Sequence, residues 1–222
     1  TPRDYERAFD RFPSAQAALV TSPDYFGRTA DVRGIKDVCE RRGKLLIVDA
    51  AHGAHFASRP DIFPCGGEKY ADFAVLSAHK TLRAMTQSAI GAVNDERYFA
   101  AYDDALELIG TTSPSYRLLA SLENAIEFEE ENADGYDALN AACRRLKERI
   151  NCLGADDPMR ITVDCDGYGT TGERLYYECV KRGVMPETFF GRYCVFIVTL
   201  SDEPGAVDEL SKTLGEILTG KE

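Results

Sequence analysis

Leu45-Leu46-Ile47-Val48-Asp49 and Phe73-Ala74-Val75-Leu76-Ser77-Ala78-His79-Lys80 are the two stretches that decide the fold. Each opens with an apolar run of strand length. An acid closes the first run, and a histidine and a lysine follow the second. Further strand-like runs cover residues 17–21 and 89–93, and a helix-like segment covers 31–42, with Ile35, Val38 and Cys39 on one face and Gly43 as its stop. Strands alternating with helices indicate a mostly parallel α/β sheet. Ligands of such sheets bind at the carboxyl ends of the strands, so Asp49 and Lys80 are expected to face one pocket.

A carboxylate and a primary amine converging there are what pyridoxal 5'-phosphate chemistry needs. The lysine forms a Schiff base with the cofactor aldehyde, and the acid keeps the pyridine nitrogen protonated so that the ring accepts electrons. Taken singly, each residue has a plainer reading: an aspartate after a strand is commonly a turn or cap residue, and a lysine is commonly a solvated surface group. The joint occurrence, in this order and with these flanks, favours the cofactor reading. A metal centre built from Asp49, His52, His55 and His79 is the competitor. The spacing speaks against it, because Gly53 between the two nearer histidines disfavours a helical pair and no Cys-x-x-Cys occurs. His55 reads as a packed or capping histidine.

The wider stretches, Val48-Asp49-Ala50-Ala51-His52-Gly53-Ala54-His55-Phe56 and Ala71-Asp72-Phe73-Ala74-Val75-Leu76-Ser77-Ala78-His79-Lys80-Thr81-Leu82, resemble the ornithine/lysine/arginine decarboxylases. The phrases Val20-Thr21-Ser22-Pro23-Asp24-Tyr25-Phe26-Gly27 and Thr111-Thr112-Ser113-Pro114-Ser115-Tyr116 extend the resemblance on both sides. It implies a fold-type-I pyridoxal phosphate enzyme. Lys80 is then the Schiff-base lysine and Asp49 the partner of the pyridine nitrogen. His52 lies near the ring and its phenolic oxygen, and Ser77 and His79 contact the cofactor phosphate or its surroundings. The loop 111–115 is implied to reach a neighbouring subunit, so a homodimer or higher homo-oligomer is expected. Ala50 departs from the pattern, standing where many members carry glutamate.

The family also implies a phosphate loop and a ring-stacking histidine upstream, which this chain does not contain. It is therefore expected to begin inside the large domain. Residues 1–112 are expected to be the C-terminal part of that domain, 113–152 a linking helical segment, and 153–222 a small C-terminal α+β domain. The implied activity is decarboxylation of a basic amino acid, by this chain or by an enzyme of which it is a part. The alternatives are another fold-type-I reaction, an aminotransferase or carbon–sulfur lyase, or a truncated non-catalytic relative. An aminotransferase ordinarily needs an arginine for the substrate carboxylate, and Arg192 is the one to watch in the small domain.

In the rest of the chain, Tyr98, Phe99, Tyr102, Leu106 and Ile109 recur at helical spacing and read as core positions. A helical stretch from Pro114 to about residue 151 presents Leu118, Leu122 and Ile126 on one face and an acidic, solvated run at Glu127 and 129–131, and Gly135 divides it. Beyond it, 159–165 alternates as a strand, Thr170 and Glu173 form a capping box, 193–200 is a strand, and Pro204 opens a last helix with Val207, Leu210, Leu214 and Ile217 inward. With 222 residues, 28% charged, the chain can bury a sizeable core. A net charge of −11 makes nucleic acid a poor partner and suits a cationic diamino acid. Seven scattered cysteines read as reduced thiols of a cytoplasmic protein, and no apolar run is long enough to span a membrane.

Overall fold

The structure, a computed structural model, describes residues 1–220. The chain divides into two compact units, one comprising 1–24, 29–58 and 64–130, the other 25–28, 59–63 and the chain from 131 on.

The first unit opens with α1 (Pro2–Arg11) and β1 (Ala17–Thr21), followed by α2 (Val32–Arg41) and β2 (Leu45–Asp49). Asp31 caps α2, its side chain accepting the Gly34 N–H at 2.9 Å, and Gly43 at φ +61° takes the left-handed turn that ends it. Next come β3 (Phe73–Leu76), the single turn α3 (Ala78–Thr81), β4 (Ile90–Val93), α4 (Phe99–Ile109) and α5 (Tyr116–Asn132). The strands form one sheet in the order β1-β2-β3-β4, with the first two pairings parallel and the last antiparallel. Period-2 alternation sends Ala18, Val20, Leu46, Val48, Ala74 and Leu76 into a core shared with Phe9, Ile35, Val38 and Cys39. The opposite face, carrying Leu19 and Val75, is exposed.

Asp72, just before β3, fixes this arrangement. One of its carboxylate oxygens accepts the Leu46 N–H at 2.7 Å and the other accepts from the Lys36 ammonium at 2.7 Å. Burial pulls the Lys36 pKa down, but the bond to Asp72 and the charges of Asp72 and Glu40 outweigh it and hold the ammonium above its ordinary range.

Two expectations for this unit are corrected. No residue of α4 is buried, and Ile109 is 81% exposed. Of the aromatics expected in the core there, Tyr98 and Tyr102 meet the partly buried Phe73, with ring centroids 5.3 and 6.4 Å away, and Tyr102 also lies against Gly91 of β4, so helical spacing reflects contacts at the sheet margin. On α5 the buried positions are Ala125 and Glu129. Glu129 is therefore no solvated residue: its carboxylate accepts the Ser58 hydroxyl at 2.9 Å. The small side chain at Ala125 turns the packed face by one position, leaving Ile126 37% exposed.

The second unit holds α6 (Gly135–Arg149), β5 (Arg160–Asp164), α7 (Gly172–Lys181), β6 (Thr188–Phe190), β7 (Tyr193–Ile197) and α8 (Pro204–Thr219). Its antiparallel sheet runs β5-β7-β6. β5 does not alternate as expected but is buried on both faces, and the segment 151–153 also covers its outer edge through Leu153 N–H to Thr162 O at 2.8 Å and Asp164 N–H to Asn151 O at 2.9 Å. The cap of α7 is Thr171, whose hydroxyl accepts the Arg174 N–H at 3.2 Å, one residue later than expected from Thr170. β6, three residues long, is too short to leave a sequence pattern. Gly27, at φ +81°, accepts the N–H groups of Asp156 and Asp157 at 2.9 Å, and a Cβ there would lie 2.7 Å from that of Arg160.

Two outcomes follow from these contacts. Asp72→Ala removes the acceptor of the Leu46 N–H and leaves the half-buried Lys36 ammonium only the weaker contact with Glu40 at 3.6 Å, so urea unfolding should show a loss of about 3 kcal/mol. In the second unit, burial pushes the thiol of Cys143 up to about 12 and those of Cys152, Cys165 and Cys179 up to about 11, from an ordinary 9.0. Above pH 9 the unfolded chain releases protons that the folded protein keeps. Their stabilisation, complete below 9, is thus lost as pH rises toward 11, by on the order of 1 kcal/mol per pH unit for each thiol. Urea midpoints measured in reductant just below pH 9 and near pH 11 read this slope, and Cys→Ala variants should flatten it.

Candidate active site

The site lies where β2 and β3 end. In the register of the sheet Asp49 pairs with Thr21 on one side and Val75 on the other, so it closes three adjacent parallel strands at once. Its Oδ1 accepts the Ala51 N–H at 3.1 Å, a bond that turns the chain sharply out of the strand and fixes the carboxylate. Gly53 N–H bonds to Ala50 O at 2.9 Å and tightens the same turn, and it places His52 in a buried position, 8% exposed.

After β3 the chain makes α3, with Ser77 as its extended N-cap residue. The Ser77 hydroxyl makes no cap bond. Lys80 follows on this turn, and its Nζ stands 3.4 Å from Nε2 of His52. An ammonium donates there, so the imidazole nitrogen accepts. His79 points elsewhere: its Nδ1 lies 2.8 Å from the Ser88 carbonyl, which can only accept, so Nδ1 carries the proton and Nε2 is left as an acceptor. This bond closes the loop 82–88, in which Gln87 adopts a left-handed φ of 79°.

The structure thus brings His52 and Lys80 into contact and sets Asp49 and Lys80 at the ends of neighbouring strands, while Asp49 and Lys80 form no ion pair with each other. His55 packs edge-on against Phe56 at 4.9 Å and is 2% exposed. Among the described residues no group of three or more His, Cys, Asp or Glu is placed to hold a metal ion. Nor is any described helix long and apolar enough to cross a membrane. The role of Ser88 left no trace in the sequence, since a main-chain carbonyl has no residue code. Beside the lysine, the Thr81 and Ser88 hydroxyls are buried without hydrogen-bond partners among the described residues.

An α/β unit of this topology, with an acid and a lysine closing adjacent strands, has the fold of the fold-type-I pyridoxal phosphate enzymes. Two solved structures share it: a SepCysS–SepCysE N-terminal domain complex, TM-score 0.74 and 15% identical over 100% of this chain and 65% of that one, and a serine palmitoyltransferase variant of S. paucimobilis with a bound PLP–myriocin aldimine, TM-score 0.74 and 14% identical over 98% and 60%. The chain belongs to the Orn/Lys/Arg decarboxylase family, whose major domain matches residues 3–152. An arginine decarboxylase of Bacillus subtilis is 29% identical over 237 residues, covering 96% of this chain and 47% of its own length. An arginine decarboxylase of Halalkalibacterium halodurans is equally similar, with 96% and 47% covered. The chain spans about half the length of these relatives.

Proposed function

We propose that this chain contributes the lysine and the acid of a decarboxylase that acts on ornithine, lysine or arginine with pyridoxal 5'-phosphate. The observation that carries the reading is the 3.4 Å approach of Lys80 Nζ to the buried His52 Nε2, at the end of the strand next to the one that Asp49 closes. The donor set fits the cofactor: an amine for its carbonyl carbon, a carboxylate for its ring nitrogen, and unpaired hydroxyls beside them. When bound, the cofactor supplies a sink for the electrons that carbon dioxide leaves behind.

A lysine attacks a carbonyl only as the free amine, so Lys80 needs an acceptor for a proton beside it. His52 Nε2 is within reach of that proton and holds it while the amine reacts. Asp49, oriented by the Ala51 N–H, keeps its second carboxylate oxygen for the proton on the ring nitrogen. Ser77, with an uncommitted hydroxyl, and His79, with Nε2 free to accept or to donate once protonated, serve the phosphate side. We place the enzyme in the cytoplasm as a homodimer or higher homo-oligomer, which the family membership and the reduced cysteines support.

The aminotransferase reading loses its support at Arg192. That guanidinium is paired with Asp164 at 2.9 Å and Asp166 at 3.3 Å and lies over the Tyr193 ring at 5.0 Å, so it is already engaged.

Borohydride reduction of the protein with pyridoxal phosphate, followed by peptide mass mapping, should place the pyridoxyl group on Lys80. Its appearance on another lysine would overturn the assignment. Asp49→Ala should retain this labelling while carbon dioxide release from the basic amino acid falls by about a hundredfold or more, because the ring nitrogen loses its charge partner. Undiminished release would reduce Asp49 to a turn residue.

A further inference from the structure

The loop that leaves α3 meets α5 and forms a cleft of about 650 Å³, a size ordinary for small-molecule sites. Arg117, Ala120, Ser121, Asn124, Ala125 and Phe128 supply one wall, and Arg83 and Met85 supply the other. The α5 residues recur at three- and four-residue intervals, which puts them on a single helix face. Met85 N–H bonds to the Ser121 hydroxyl at 2.8 Å and joins the two walls.

The charges there are one-sided. Two arginines line the cleft and no carboxylate does, in a chain of net charge −11 whose α5 carries Glu123, Glu127, Glu129, Glu130 and Glu131. Neither Arg83 nor Arg117 is paired with an acid among the described residues. The Arg83 guanidinium lies over the Phe128 ring at 4.3 Å, a contact that holds its plane and leaves its N–H edge for hydrogen bonds. Arg117 sits in the first turn of a 17-residue helix, where the backbone dipole adds to its charge. Met85, Ala120, Ala125 and Phe128 make the remaining surface apolar.

We propose that this cleft binds an organic oxyanion, a phosphate or carboxylate group joined to an apolar body. Arg83 and Arg117 grip the oxygens from two sides, Asn124 adds an amide donor, and the body rests on Met85 and Phe128. Such a ligand is opposite in charge to the basic amino acid of the proposed reaction, so this is a second site that requires no contact with Asp49 or Lys80.

Calorimetric titration of the full chain with phenyl phosphate, phenylacetate, inorganic phosphate and benzyl alcohol tests this. Saturable binding is expected for phenyl phosphate or phenylacetate, and the tighter of the two identifies the headgroup. Inorganic phosphate lacks the apolar body and benzyl alcohol lacks the charge, so both should bind more weakly. Arg83→Gln and Arg117→Gln should each weaken binding by about tenfold or more, as expected for the loss of a charge-assisted bond. Lys80→Ala and Glu123→Gln should leave it unchanged. Thermal unfolding checks that each variant is folded, and Arg117→Gln, whose side chain is exposed, carries the test should loss of the Phe128 stacking unfold Arg83→Gln. Full-strength binding by the double arginine variant, loss of binding in Lys80→Ala, or no saturation by either organic anion up to millimolar concentration would overturn the proposal.

Discussion

The carboxylate of Asp72 is the constraint on which the arrangement of the sheet depends. It accepts from α2 through Lys36 and from β2 through the Leu46 N–H, while the Asp72 main chain donates back to Leu46 O at 2.9 Å and accepts from Asn94 N–H, just beyond β4, at 3.3 Å. Four segments are therefore tied at one residue at the start of β3. A parallel pairing in which one face is buried cannot slip by a residue without turning its apolar set outward, so this tie and the core face specify the same register. The register then places Asp49 opposite Val75 and starts the turn of α3 at the height where Lys80 meets His52. The placement of these side chains at the carboxyl ends follows from an ion pair at the amino ends.

That division explains what could be read from the sequence. The strands at 45–49 and 73–76 were legible because a strand buried on one face, with β-branched and aliphatic residues, leaves a continuous apolar signal. Asp31 and Gly43 were legible because caps and stops are local. α4 misled because spacing reports amphipathicity and not burial, and nothing local tells a core helix from one whose aromatics rest on a sheet margin. Glu129 misled in the opposite sense: Ser58, which donates to its carboxylate, is distant in sequence, and a buried carboxylate depends on such bonds.

The site shows the same boundary. Asp49, His52 and Lys80 stand out by residue type and order alone, and the structure brings two of them, His52 and Lys80, into contact. What the sequence left open was the geometry: which nitrogen of His52 faces the lysine, and that His79 spends its Nδ1 proton on a main-chain carbonyl. The bond to Ser88 also gives the loop 82–88 a fixed return point, and this loop carries Arg83 and Met85 to the wall of the cleft on α5. One main-chain acceptor thereby orders the surroundings of both sites.

Range decides how an acidic chain can host opposite charges. At physiological ionic strength fields from exposed charges fade within about 8 Å, so a net charge of −11 biases the approach of any cationic solute but does not govern a pocket lined by two guanidinium groups. Inside that cleft the bonds are short and directional, and the nearest acids of α5 project from its other faces. Anion recognition there would depend weakly on overall charge and steeply on the placement of Arg83, which rests on Phe128. The ring that fixes the guanidinium plane is thus as much a part of the recognition as the charge it orients.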